Sequence, residues 1–275
     1  MVDRRASFHV DLGALQGTLQ AGVQTAIQRV SFGLLAGREM RAIGEPDLPD
    51  AQLQFRLGKP QSIEDQKADH ENWTLGNGLR DCAEALNTFL DRSQEVCVLY
   101  SFGPNARIPA EQWNRLVIED RKRFQLLGLA RKLDWLRKEY DLEIVADAGN
   151  DLLTVNAARN CLVHRNGIVQ QADQNSDAGL TVRWTKPQLQ VEGASGSRPM
   201  VIGKIVEAGE RIMFTQKQTS KNFRIGDRVQ FDSEEFSELC WTFVVFGIQI
   251  VAAVEDFGKS KGFKFRKPGA NGESA

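Results

Sequence analysis

A chain of 275 residues has room for one large domain or two small ones, and 41% apolar residues are enough for a sizeable core. A net charge of −1 excludes a global basic field, so any RNA or DNA must be held by a local patch. The four cysteines, Cys82, Cys97, Cys161 and Cys240, show no paired spacing and sit in apolar helical contexts. They read as buried thiols rather than disulfides or metal ligands, which fits a reducing cytoplasm. Residues 1–9 carry no apolar signal core.

In chain order, Leu12, Leu15, Leu19, Val23, Ile27, Val30 and Leu34 predict a first helix over 12–38. Residues 41–70 are polar and proline-containing, with one short strand pattern at Leu53–Leu57. Leu75, Leu79, Ala83, Leu86 and Leu90 predict a second helix from about Asn72 to Tyr100, closed by the Gly103–Pro109 loop. A third helical region spans about 111–140, and a fourth helix runs from Asp151 to Val163. From about 180 the period changes. Leu180–Trp184, Gln188–Val191 and Arg211–Thr215 alternate like short strands, broken by glycines at 193, 196, 203 and 209. Asp232 and Glu235 form a capping-box signature before a last helix carrying Phe236, Cys240, Phe243, Gly247, Ile250, Val254 and Phe257. Its apolar run, Leu239–Val254, is short for a membrane span of about 20 residues and reads as a core or interface helix. The expected organisation is therefore mainly α. An N-terminal segment (1–70) packs on a helical domain (71–257) that carries a small antiparallel β insertion at about 180–231. A basic flexible tail (258–275) follows.

The most informative stretch is Ala158-Arg159-Asn160-Cys161-Leu162-Val163-His164-Arg165-Asn166-Gly167. One of only three histidines stands at the end of an apolar helix pattern, with a glycine stop behind it. Gly167 suits the position past a helix end where φ is positive. Asn156, Asn160 and His164 are spaced by four and share one stripe, so Asn160 is placed to orient the imidazole. The helix C-terminus favours a cationic side chain there. Arg159 lies about 100° round from Asn160, off the His164 stripe. The two meet at one phosphate if the helix end unwinds or if two copies of the helix face each other across a dimer.

This segment resembles the HEPN superfamily, whose motif is Arg, a polar residue, three to five residues, then His. Arg159-Asn160-Cys161-Leu162-Val163-His164 matches it, and Arg165-Asn166-Gly167-Ile168-Val169 matches the way the family closes that helix. The order of elements fits as well, since family members are helical bundles, often with a variable insertion before a final apolar helix. The likeness covers residues 71–257. Arg4-Arg5-Ala6-Ser7-Phe8-His9 repeats the spacing, without the asparagine or the helix pattern.

The resemblance implies a metal-independent endoribonuclease, active as a homodimer and placed in toxin–antitoxin or anti-phage defence, with an antitoxin or defence-system partner. In that chemistry the 2′-OH attacks the adjacent phosphorus. His164 is the general acid/base, Arg159 the phosphate clamp, and Asn160 an orienting or phosphate-contacting group. Arg165, which reads first as a solvated surface charge, and Asn156 are further candidate RNA contacts, and the Lys/Phe-rich tail is another. Asp81 and Glu84 are candidate acidic partners, while Trp184 and Trp241 read as core or interface anchors. No cofactor is expected, and His9, His70 and His164 share no zinc-site spacing. Two readings compete: a non-catalytic HEPN-like module that binds nucleotide, RNA or protein and dimerises through the same helix, and a helical interaction protein whose contact is the last helix.

Overall fold

The computed structural model describes residues 10–39, 62–106, 114–193, 196–200, 205–207 and 209–265. It is mainly α-helical, with a small three-stranded antiparallel sheet inserted before the last helix, as the sequence predicts. The Arg4–His9 repeat of the motif and the strand expected at Leu53–Leu57 lie outside the described residues.

Helix α1 (Leu12–Glu39) buries Leu15, Leu19, Val23, Ala26 and Val30 along one face. Helix α2 (Ile63–Ser101) starts ahead of the expected Asn72, because the Ser62 hydroxyl caps it by accepting from the Asp65 N–H at 3.1 Å. The boundary expected at residue 70 therefore falls inside α2. The two helices run antiparallel in close approach, with Gly33 against Thr74 and Gly37 against His70.

The third helical region is broken where the sequence suggested one helix. A π-helical turn (Asn114–Glu119) leads into α3 (Asp120–Gln125), and α4 (Leu129–Tyr140) restarts after Gly128, whose extended backbone forms the N-cap. Helix α5 (Ala146–His164) carries the Arg-Asn-His segment. The last helix, α6 (Ser233–Ser260), begins with the expected capping box: Glu235 N–H donates to Asp232 Oδ1 at 2.8 Å, and Asp232 N–H donates to Glu235 Oε2 at 2.9 Å. By length and composition α6 is apolar enough to cross a membrane, and 56% of its most apolar window is buried inside this fold. Phe236, Leu239, Phe243, Phe246, Ile250 and Val254 are among its core residues.

The sheet has strand order β2-β1-β3, from β1 (Leu180–Gly193), β2 (Gly196–Pro199) and β3 (Arg211–Phe223). The two strand patterns read at 180–184 and 188–191 are one strand running through Pro187. β2 pairs only with Gln190–Gly193, so β1 is open on that side at Pro187 and the missing N–H costs no ladder bond there. β1 stays paired with β3 from Leu180↔Phe223 to Glu192↔Arg211. Its base is anchored in the bundle. Trp184 Nε1 donates to the buried Glu238 at 2.7 Å, Lys186 Nζ lies 2.5 Å from the same carboxylate, and Thr185 N–H donates to Thr242 Oγ1 at 2.9 Å. Trp184 is thus a core anchor, and Trp241 packs edge-on against Phe214. Farther out along the hairpin Leu189, Ile212 and Met213 are exposed, while Val191 is buried.

The beginning of the expected tail is also ordered. Residues 258–260 still belong to α6, and Phe263 and Phe265 pack on Tyr100 of α2, so neither ring is presented for stacking on RNA. Residues 266–275 lie outside the described residues.

α1, α2 and α6 converge on Gly78. A Cβ there would stand 2.4 Å from Val30 Cγ2 and 2.7 Å from Phe236 Cζ. Gly78→Ala is expected to lower stability by about 1–3 kcal/mol through overpacking. Urea unfolding measures this, and an unchanged midpoint would refute the steric account.

Asp151, on α5, accepts from Gln218 Nε2 of β3 at 2.8 Å and lies 3.7 Å from Arg183 Nε. Burial nevertheless raises its carboxyl above the ordinary value, outweighing both partners. A carboxyl raised in the folded state stabilises most below its unfolded pKa, and that contribution is lost as pH rises through the folded one. Asp151→Asn keeps an acceptor for Gln218, so it is expected to gain stability relative to wild type as pH rises through that range. Parallel pH profiles of the two urea midpoints would contradict this.

Candidate functional site

The Arg-Asn-His segment occupies the last two turns of α5, and the exit from that helix shapes the surface around it. Arg165 is the C-cap, and its N–H donates to the Cys161 carbonyl at 3.0 Å. Asn166 (φ 53°) and Gly167 (φ 74°) then turn the chain through the left-handed region, and the Gly167 N–H reaches the same carbonyl at 3.1 Å. Asparagine and glycine are the residues that adopt this conformation most readily. Residues beyond the turn pair with the segment that follows β3. Val229 N–H donates to the Gly167 carbonyl at 2.7 Å, and Val169 N–H donates to the Asp227 carbonyl at 2.9 Å. Arg228 is thereby fixed next to the end of α5.

Within this frame the sequence candidates separate. His164 is exposed at the end of α5, and none of the described residues hydrogen-bonds its ring. Asn160 is half-buried, and its Oδ1 accepts from Arg159 Nη1 at 3.0 Å, so that oxygen serves the arginine rather than the imidazole. Arg159 and Asn156 line a narrow crevice between α2 and α5, together with Ala83, Asn87, Leu129 and Phe243. The crevice holds about 10 Å3, room for roughly one water molecule. Arg159 Nε is buried in the protein without a partner among the described residues. Arg159 and His164 lie five residues apart on an intact helix, about 140° round its axis, and so face different directions.

Arg165, expected as a surface cation or RNA contact, is half-buried and forms a two-pronged pair with Asp173. Its Nε donates to Oδ2 at 2.7 Å, while Nη2 holds Oδ1. Asp173 is almost wholly buried and also accepts from the Gln170 N–H at 2.9 Å, so the pair clips the 3₁₀ turn Gln171–Asp173 onto the end of α5. Burial pushes the neighbouring Cys161 thiol up to about 11, which leaves it without a thiolate's nucleophilicity at neutral pH. All four cysteines are buried and free. Asp81 is taken by Arg29 of α1 at 2.7 Å, and Glu84 lies 3.8 Å from Arg80. Among the described residues no group of three or more His, Cys, Asp or Glu side chains is placed to hold a metal ion.

The largest feature beside the motif is one the sequence did not single out. An open groove of about 480 Å3 has Leu162, Val163, Asn166 and Gly167 from the α5 exit on one wall. Asp69, Asn72, Trp73, Gly76, Asn77 and Arg80 of α2 form the opposite wall, and Arg228 and Val229 close the end. Trp73 is 67% exposed, a large ring left in solvent on the face of α2 opposite the buried Leu75 and Leu79. That aromatic on a polar face is the one signal in the sequence that pointed here. Arg228 carries none, because its place depends on pairing with residues far away in the chain.

No protein-family model, curated protein or solved structure matches the chain. The architecture, helices with a small antiparallel sheet inserted before the last one, resembles the general HEPN-type arrangement.

The Arg165–Asp173 pair separates a structural role from RNA contact. Arg165→Ala strands a buried carboxylate and is expected to cost about 3 kcal/mol of stability. Chemical denaturation reads this directly, and an unchanged midpoint combined with weaker RNA binding would assign Arg165 to RNA instead.

Proposed function

We propose that the chain is a metal-independent endoribonuclease of the HEPN type, acting in toxin–antitoxin or anti-phage defence. The observation that carries the reading is the presentation of His164. It is a solvent-facing imidazole at a helix end, five residues after Arg159, and its chain neighbours Val163 and Asn166 line a groove large enough for a nucleotide. His164 acts as general acid/base on the 2′-OH or the 5′-oxygen leaving group. The 2′-oxygen bonds to phosphorus as the P–O5′ bond breaks, giving a 2′,3′-cyclic phosphate and a 5′-hydroxyl. A guanidinium neutralises the charge that grows on the non-bridging oxygens. Since Arg159 and His164 of one helix diverge, the reading calls for a homodimer in which two α5 helices face each other, so that Arg159 of one copy serves the phosphate attacked beside the other copy's His164.

One observation favours a binding-only reading of the same helix. Arg159 Nη1 is already engaged by Asn160, which suits a structural arginine. In that case the protein is a non-catalytic dimerisation or RNA-binding module.

The experiment is RNA cleavage in EDTA with wild type and His164→Ala. Because His164 is exposed, its removal is expected to leave stability within about 0.5 kcal/mol, while cleavage falls roughly 10²–10⁴-fold. The products are expected to carry cyclic-phosphate ends. A folded wild type that cuts neither tRNA, mRNA nor synthetic RNA would favour the binding-only reading, and cleavage that survives in His164→Ala would remove His164 from the chemistry.

A further inference from the structure

The groove between α2 and the α5 exit has a composition that no core requirement explains. Residues 69, 73, 76, 77 and 80 fall on one face of α2, spaced by three or four. Between Asp69 and Arg80 this face carries a tryptophan, a glycine and an asparagine where a solvated helix would carry further charges. The Trp73 ring leans against His70 with centroids 6.1 Å apart and planes 25° from parallel, and 67% of the residue stays exposed. The ring is therefore backed on one side and open on the other. Asn77 Nδ2 donates to the Trp73 backbone carbonyl at 2.8 Å, which holds its amide on this face and leaves Oδ1 as an acceptor. Gly76 leaves the wall low, with Leu162 behind it. Arg80 and Arg228 stand with their side chains 44% and 43% exposed, and Arg228 is steadied across the groove by Asp69 at 2.7 Å.

We propose that this groove is a binding subsite for single-stranded RNA, in which one unpaired base stacks on Trp73 while Arg80 and Arg228 contact the flanking phosphates. The amides of Asn72, Asn77 and Asn166 meet the edge of that base. This deepens the endoribonuclease reading and rests on it for the identity of the ligand. The chemistry selects a single strand, because only an unpaired base offers a free face to a ring set inside a groove. Arg80 and Arg228 in the lining also call for phosphate oxygens, which an RNA strand supplies and an uncharged protein segment does not. The groove places the bound strand against the same helix end that presents His164.

The test uses full-length protein carrying His164→Ala, so that RNA is not consumed, and a short fluorescein-labelled oligoadenylate in EDTA. Adding Trp73→Ala is expected to weaken binding roughly 5- to 100-fold, as loss of one base–aromatic stack does. Trp73→Phe is expected to restore most of it, which a purely structural role would not require. Thermal midpoints should not move, since the ring is exposed. Arg80→Ala and Arg228→Ala are each expected to lower the slope of log K against log salt by about 0.7. Equal affinity with and without Trp73, or a duplex of the same length bound as tightly as the single strand, overturns the proposal. The two readings fail separately. Trp73-dependent binding by a wild type that never cleaves would refute the nuclease and leave the groove standing. Cleavage in EDTA by an otherwise wild-type Trp73→Ala with unchanged KM would refute the groove and leave the nuclease.

Discussion

Everything in this bundle is referred to one crowded point, where α1, α2 and α6 cross with a hydrogen atom in place of a side chain. Gly78 is buried, and Val30 and Phe236 already fill the space its Cβ would need. Close-packed interiors do not yield smoothly, so the approach of three helices here fixes how α2 is rotated about its own axis. That rotation decides which residues α2 gives to the core and which to solvent. Leu75, Leu79, Leu86 and Leu90 go inward. Trp73, Asn77 and Arg80 go outward, toward the end of α5. The groove is thus a consequence of core packing on the other side of the same helix.

The second determinant is the way α5 stops. Two consecutive residues in the left-handed region, the Arg165–Asp173 pair and the short pairing of 167–169 with 226–229 hold the exit in one geometry. Each interaction is modest, but together they satisfy the helix-end carbonyl of Cys161 and a buried carboxylate that would otherwise be stranded. His164 therefore stands at a rigid end rather than on a frayed one. For the proton transfer proposed for His164 this placement matters, because a general acid or base has to be within hydrogen-bond reach of its substrate atom.

Much of the fold was legible because its cues are local. The heptad-like spacing of α1, the capping box at Asp232 and Glu235, and the change to alternation after Leu180 are all contained within a few residues. The break at Gly128 was missed because apolar residues on both sides kept a helical spacing across it. The join at Pro187 was missed because proline reads as a strand breaker unless the open edge beside it is known. In the candidate site the sequence found the helix, the histidine and the glycine stop. It assigned Asn160 to His164, although a guanidinium one residue earlier captures its oxygen. It took Arg165 for a free cation, since Asp173 sits in an irregular stretch with no periodicity to show that it is buried. The groove was beyond reach because its second arginine arrives from the far side of the β insertion.

That insertion leaves the bundle and returns to it at one place, through Val169 and Gly226. Its base is locked by Trp184, Thr185 and Lys186, while farther out Leu189, Ile212 and Met213 are exposed and Phe214 rests on Trp241. The cost of closing a loop grows slowly, by roughly 0.6 kcal/mol for each doubling of length. Lengthening the outer hairpin therefore costs the anchored base little free energy. Its residues are open to insertion, deletion and drift in composition while the anchored base keeps the α5 exit in place, so a lineage of such chains could diversify its contacts through the hairpin without touching the residues around His164.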